Sequence, residues 1–187
     1  MVTVVPNVVD MRSAATGIDG LVVVSVKQAT DERGTVRELF RASAYAELLA
    51  GLGTWEQVNV TETRRGGVRG LHGEAMTKLV ACVAGEAFGA YLDARPGSPT
   101  FGAVETVTLR PGVQVLVPPG VCNGFQALSD PSCQYLYCFT AEWVPGMAGT
   151  AYTPLDPGLA IPWPLPIDPN DRAQISAKDL AAPGFTA

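Results

Sequence analysis

The only histidine of the chain, His72, is the side chain best suited to move a proton near neutral pH, because an unperturbed imidazole titrates at about 6.5. It closes the run Val68-Arg69-Gly70-Leu71-His72, which follows a Gly-Gly turn and sets an arginine three residues ahead of it. In a regular strand, residues three apart point to opposite faces. Arg69 and His72 can therefore share a pocket only where the strand bends or bulges, which Gly70 permits. A lone histidine is more often a surface group or a hydrogen-bonded core residue than a catalyst. Lys78 opens the apolar run KLVACVAG. Facing inward it would be a cation able to stabilise an oxyanion, whereas on an edge strand it would discourage aggregation. Tyr135 and Tyr137 alternate with Leu136 and share a face, where a phenol can donate a proton or simply pack. Asp179, in the terminal SAKD, is either a solvated carboxylate or, if the tail folds back, a partner that orients and charges an imidazole.

The same residue counts exclude other chemistry. One histidine and four cysteines at 82, 122, 133 and 138, with no CxxC and no HxH, do not make a zinc or iron site of the common histidine-rich kind, so no metal is expected. Cys133 and Cys138 lie five apart in a strand-like run, point to opposite faces and cannot easily bridge. Four free thiols fit a reducing compartment, and a cytoplasmic location is expected. A net charge of −5 with 13 basic residues lacks the electrostatic footprint of a nucleic-acid binder. The opening MVTVVPNVVDMRSAATG has neither the basic start nor the apolar core of a signal peptide. No stretch reaches the roughly 18–20 apolar residues that span a bilayer, so no membrane partner is expected.

The elements that must position these groups are mostly strands. A chain of 187 residues is one domain by length, and 20 Gly and 15 Pro favour many short strands over long helices. GLVVVSV (20–26), the turn Thr30–Gly34 and the run Thr35–Phe40 read as strand, turn, strand. Ser43–Leu52 carries a start signal, good helix formers and Gly51 and Gly53 as stops, which predicts one short helix. From Glu56 onward seven strand-like runs follow: EQVNVTET, KLVACVAG, AFGAYLDA, AVETVTLR, VQVLVPPG, NGFQALS and CQYLYCFTAEW. Their spacing predicts an all-β sandwich or barrel in one domain (1–187). An N-terminal extension (1–17) precedes it. A proline-punctuated tail (145–187) wraps the body and ends in a helical turn at Ser176–Leu180.

The strings VRGLH, TKLV, SPTFG, VPPGVCNGFQALSD, YLY, DPGLAIPWP and ISAKDLAAP occur in the order and approximate spacing of the dTDP-4-dehydrorhamnose 3,5-epimerase family. The chain resembles that family over residues 18–183. The resemblance implies a double-stranded β-helix, a cupin-like jelly roll with a few short helices. It also implies a cytoplasmic homodimer that uses no metal or cofactor and acts on a dTDP-linked 4-keto-6-deoxyhexose. On this reading His72 matches the general base, Asp179 the carboxylate that orients it, Lys78 the group facing the enolate oxygen and Tyr137 the acid on the far side of the ring. Arg69 and Arg33 match arginines on the diphosphate, and planar guanidinium forks suit that group. Glu38, Gln57 and Asn59 match positions around the nucleotide and sugar.

The chain also departs from the family pattern. Asn123 stands where a histidine usually precedes Gly-Phe, and it can donate a hydrogen bond but carries no charge. The link GEAMT between His72 and Lys78 is shorter than usual, Thr35 and Val36 replace aromatic residues, and Trp143 replaces a tyrosine near the acid. Three functions fit these residues: epimerisation at C3, C5 or both; a related ketoisomerase or one-carbon epimerase; and a non-catalytic nucleotide-sugar-binding homologue.

Overall fold

Short runs of β-branched and aromatic residues between glycine turns set the strand boundaries. The computed structural model describes residues 7–186, so the first six residues of the expected N-terminal extension and Ala187 lie outside the described residues. The N-terminal part contains β1 (Asn7–Val9), β2 (Arg12–Ala15), β3 (Val22–Ser25), β4 (Gln28–Asp31), β5 (Gly34–Arg37) and the helical turn α1 (Ala42–Tyr45). The body consists of β6 (Gln57–Arg64), β7 (Val68–Glu74), β8 (Lys78–Ala84), β9 (Ala87–Asp93), β10 (Val104–Leu109), β11 (Val113–Val117), β12 (Val121–Ala127) and β13 (Ser132–Phe139). β14 (Gly149–Ala151) and α2 (Ala177–Leu180) lie in the tail.

Two antiparallel sheets face each other, one of five strands in the order β10-β9-β12-β7-β14 and one of six in the order β2-β3-β11-β8-β13-β6. This is the cupin-like jelly roll expected of the chain. Alternation drives the packing, because each strand sends every second residue into the space between the sheets. Val80, Cys82, Tyr91, Val115, Phe125 and Tyr135 meet there, with the rings of Phe125 and Tyr135 stacked at 3.9 Å. β12 is buried along its whole length because both faces of its sheet are covered. On the outer face, Tyr152, Leu159, Ile161, Trp163 and Phe185 of the tail pack over Leu71, Leu92 and Cys122. β1, β4 and β5 form a separate three-stranded sheet.

One local expectation needs correction. The helix predicted over 43–52 is α-helical only at Ala42–Tyr45, and tertiary contacts hold the segment in place: Tyr45 is buried, its hydroxyl donates to Gln114 Oε1 at 2.6 Å, and Leu48, Leu49 and Leu52 pack on the core. Beyond Tyr45 the chain closes i to i+3 turns, such as Leu52 N to Leu49 O at 2.9 Å. So short a segment does not recover the cost of helix nucleation from its own hydrogen bonds. Within the expected N-terminal extension, β2 pairs with β3 at the edge of the six-stranded sheet.

Candidate active site

Gly70 makes the site possible. Across the β7–β12 ladder Asn123 pairs with His72 and Phe125 with Arg69, so three steps along β7 oppose two along β12. The extra residue bulges from β7 and returns Arg69 and His72 to the same side. Gly70 has φ +112°, and a Cβ there would lie 2.6 Å from Gly124 Cα and 2.7 Å from Asn123 O. Only glycine fits this crossing.

The bulge opens a cavity of about 630 Å³ between the sheets, within the range usual for small-molecule sites. His72, Arg69 and Glu74 enter it from β7, Lys78 from β8, Asn123 from β12, and Tyr137 from β13. The tail supplies the rest. Ser176 caps α2 by accepting from Asp179 N at 3.0 Å, and this turns the Asp179 side chain back onto β7. There His72 Nε2 donates to Asp179 Oδ1 at 2.7 Å, and Gly70 N donates to Oδ2 at 3.4 Å. An ionised carboxylate only accepts, so Nε2 carries the proton and Nδ1 is the basic nitrogen of the neutral ring. Burial would push the Asp179 carboxyl up, but the hydrogen bond from His72, the charge of that ring once it is protonated, and the bonds from Ser176 and Gly70 outweigh it and hold the group below the usual carboxylate range. Asp179 is thus a buried partner of the histidine, not a solvated carboxylate.

Lys78 points inward, and β8 is an interior strand, so the edge-strand reading does not apply. Its Nζ donates to His72 O at 3.0 Å and to Glu74 Oε2 at 2.6 Å. Burial pushes the ammonium below the ordinary lysine range, and the Glu74 carboxylate partly restores it. Tyr137 lies beside Tyr135 and is stacked on Phe139 with ring centres 5.7 Å apart. Burial raises its phenol well above the ordinary value, with Arg69 working against the shift, so it stays protonated at neutral pH.

Around these groups Arg69 Nε donates to Thr63 Oγ1 at 3.0 Å, and Asn59 and Trp143 line the wall. Gln57 holds those two in place, donating to Asn59 Oδ1 at 3.2 Å and accepting from Trp143 N at 2.7 Å. Three expected site residues do not line this cavity: Gln57, which reaches it only through Asn59 and Trp143, Arg33 and Glu38. Arg33 lies on the β4–β5 hairpin with its side chain 90% exposed and paired to Asp31, and Glu38 pairs with Arg41 beside a separate hollow. The cavity also holds Glu74, Arg172 and Lys178, which the motifs had not marked. Glu74 is two residues from His72, so strand alternation already places it on the same face. Arg172 lies in a proline-rich loop with no periodic signal. Among the described residues no three His, Cys, Asp or Glu side chains gather as a metal site, and no helix is long and apolar enough to cross a membrane.

A proton-accepting couple, a buried cation and a protonated phenol around one cavity are the equipment of a proton-transfer isomerase. Known proteins similar to this chain in sequence include the dTDP-4-dehydrorhamnose 3,5-epimerase of Salmonella typhimurium, 34% identical over 174 residues that cover 90% of this chain and 92% of that one. The dTDP-4-dehydrorhamnose 3-epimerase of Streptomyces niveus is 33% identical over 162 residues, covering 82% of this chain and 76% of its own. Among solved structures, the dTDP-6-deoxy-D-glucose-3,5-epimerase of Legionella pneumophila, in complex with dTDP-4-keto-L-rhamnose, superposes with a TM-score of 0.82 at 35% identity, covering 95% of this chain and all (100%) of that one. The model of the dTDP-4-dehydrorhamnose 3,5-epimerase family matches residues 15–187. With the jelly roll and the cavity between its sheets, this establishes that the chain belongs to the dTDP-4-dehydrorhamnose 3,5-epimerase family.

Proposed function

We propose that this protein epimerises a dTDP-linked 4-keto-6-deoxyhexose at C3, C5 or both, in deoxysugar biosynthesis. The observation that carries the reading is the His72–Asp179 couple, at 2.7 Å, in one cavity with Lys78 and Tyr137. His72 takes the proton from the carbon next to the C4 ketone, and the bonding pair moves into the carbonyl to leave charge on the C4 oxygen. The Lys78 ammonium faces that charge, and the Asn123 amide adds a neutral donor. Tyr137 returns a proton from the opposite face and inverts the carbon. The atoms and oxidation states of the sugar are unchanged overall, so the step calls for neither an oxidant nor a reductant.

Arg69 binds the diphosphate, while Gln57, Asn59 and Trp143 shape the nucleotide and sugar pockets. Arg33 and Glu38 reach the substrate from a second copy of the chain, so the working unit is a cytoplasmic homodimer. Support for this comes from their position outside the chain's own cavity and from the uncovered edge strand β6, where Val58 is 58% and Val60 54% exposed.

The test is incubation with dTDP-4-keto-6-deoxyglucose in deuterated water, followed by NMR at C3 and C5. Deuterium at one or both carbons is the expected result; none at either, at high protein concentration, overturns the reading. Exchange confined to C3 would favour one-carbon epimerisation, the alternative that Asn123 and the short His72–Lys78 link favour. Nucleotide binding without exchange would leave a binding homologue.

A further inference from the structure

Glu74 has no place in the reading above, yet it makes one of the shortest polar contacts in the cavity, 2.6 Å to Lys78 Nζ. It sits in the shortened link between His72 and Lys78, two residues along β7 from the base. The lysine side chain is 2% exposed and that of Glu74 is 17% exposed, so the pair is largely withdrawn from water.

The hydrogen-bond count at Nζ gives this pair a consequence. An ammonium has three N–H donors, and the structure engages two of them, on His72 O and on Glu74 Oε2. Lys78 lines the cavity, so the third position is the one left for a bound substrate. In the charged lysine it is an N–H that can meet an enolate oxygen, while in the neutral amine it is a lone pair that repels one. The charge on Lys78 thus decides whether this corner stabilises or opposes the charge formed during catalysis, and Asn123 opposite it cannot substitute.

We propose that Glu74 is a positioning residue for the epimerisation read above, holding Lys78 charged and aimed so that its third N–H meets the developing enolate oxygen.

The surroundings call for such a residue. Burial works against the lysine's charge, and Arg69, Arg172 and Lys178 add like charge to the same cavity. Of the other ionisable groups there, Asp179 is engaged by His72, and Tyr137 is held neutral by burial. Burial pushes the Cys122 thiol on β12 up, so it stays protonated and offers Lys78 no counter-charge near neutral pH. Glu74 is therefore the carboxylate that faces the ammonium directly.

The proposal rests on the epimerase reading for its catalytic half only, and the two can be tested apart. The chain has three lysines, Lys27, Lys78 and Lys178, so protein labelled with ¹³C-lysine gives three side-chain signals, which Lys27→Arg and Lys178→Arg assign by elimination. In Glu74→Gln, which keeps an acceptor and removes the charge, the Lys78 midpoint should fall by about 1 pH unit or more, the size expected for an opposite charge in contact. The alkaline limb of the deuterium-exchange rate should move down with it, and Glu74→Asp should restore both. An unmoved Lys78 midpoint overturns the pairing, and this needs no substrate. A shifted midpoint with an unmoved exchange limb overturns the catalytic half. A wild-type protein that exchanges nothing overturns the epimerase reading instead.

Discussion

His72 acts as a base only in the tautomer that leaves Nδ1 free, and Asp179 selects that tautomer by accepting from Nε2. An asparagine at 179 can turn its amide N–H toward Nε2 and move the ring proton to Nδ1, where it blocks proton abstraction. Asp179→Asn is thus expected to lower exchange by ~10²–10⁴-fold with the fold intact, the range of a lost acid–base function; a loss under threefold would assign Asp179 to structure alone. Tyr137 tests the other face. In Tyr137→Phe the proton taken by His72 can still exchange with solvent and return to the side it left, but nothing waits opposite. Deuterium washout should continue while epimerised product falls ~10²-fold or more. Equal losses of both would place Tyr137 in binding. Glu74 shows how a residue of this kind escapes notice: its i+2 spacing from His72 is plain in the sequence, but its role depends on a lysine whose burial only the fold reveals.

At the scale of elements, strands β6 and β8 to β13 were readable because alternation, β-branched runs and Gly or Pro turns all pointed the same way, whereas β7 was not among the seven predicted runs, since Gly70 and Gly73 interrupt its pattern. β1 and β2 were not: their residues are exposed throughout, so no hydrophobic alternation marks them. The Arg69–His72 juxtaposition was readable as a condition on Gly70. The approach of Asp179 to His72, 107 residues apart in sequence, followed only from family resemblance, because no local pattern encodes a tail folding back. Gly70→Ala should therefore damage fold and site together. Its Cβ would meet backbone atoms rather than a flexible side chain, and left-handed φ alone costs roughly 1–2 kcal/mol. A total near 3 kcal/mol lowers the melting temperature by about 6–12 °C. A variant that melts within 2 °C of wild type would show that the crossing relaxes. A second element, the loop after β9, hangs on Asp93. This buried carboxylate accepts from Arg95 Nε at 2.8 Å, Ser98 Oγ at 2.6 Å and Thr100 Oγ1 at 2.6 Å. Burial pushes its carboxyl up, but these bonds prevail and hold it far below the usual range. Stability from a depressed carboxyl is present above its unfolded value of about 3.9 and is lost as pH falls below it. Asp93→Asn should cost about 3 kcal/mol at pH 7 and less at pH 3. A stability gap that does not change with pH would mean that the charge contributes nothing.

For the whole molecule, the question is where Arg33 and Glu38 act. Both match substrate-binding positions of the family, yet one chain holds them outside its own cavity, Arg33 almost fully in solvent. A guanidinium on an exposed hairpin has no diphosphate to bind unless another molecule presents one. Apolar residues are exposed as well: Val36 on that hairpin is 74% exposed, and Val58 and Val60 on the outer strand β6 are exposed too. Water-exposed valines and an unpaired strand edge favour association with another copy. If each cavity takes its Arg33 from the partner, two damaged chains can repair one another. Arg33→Ala keeps His72 but lacks the arginine its partner's site needs, and His72→Asn keeps the arginine but lacks the base. In a mixed dimer, the site containing His72 receives an intact Arg33 from the other chain. Mixing the two variants through a dissociation and reassociation step should therefore restore exchange well above the sum of the separate proteins, toward a quarter of the wild-type rate if pairing is random and one of the two sites in each mixed dimer works. Activity that merely adds would show that Arg33 serves its own chain or none.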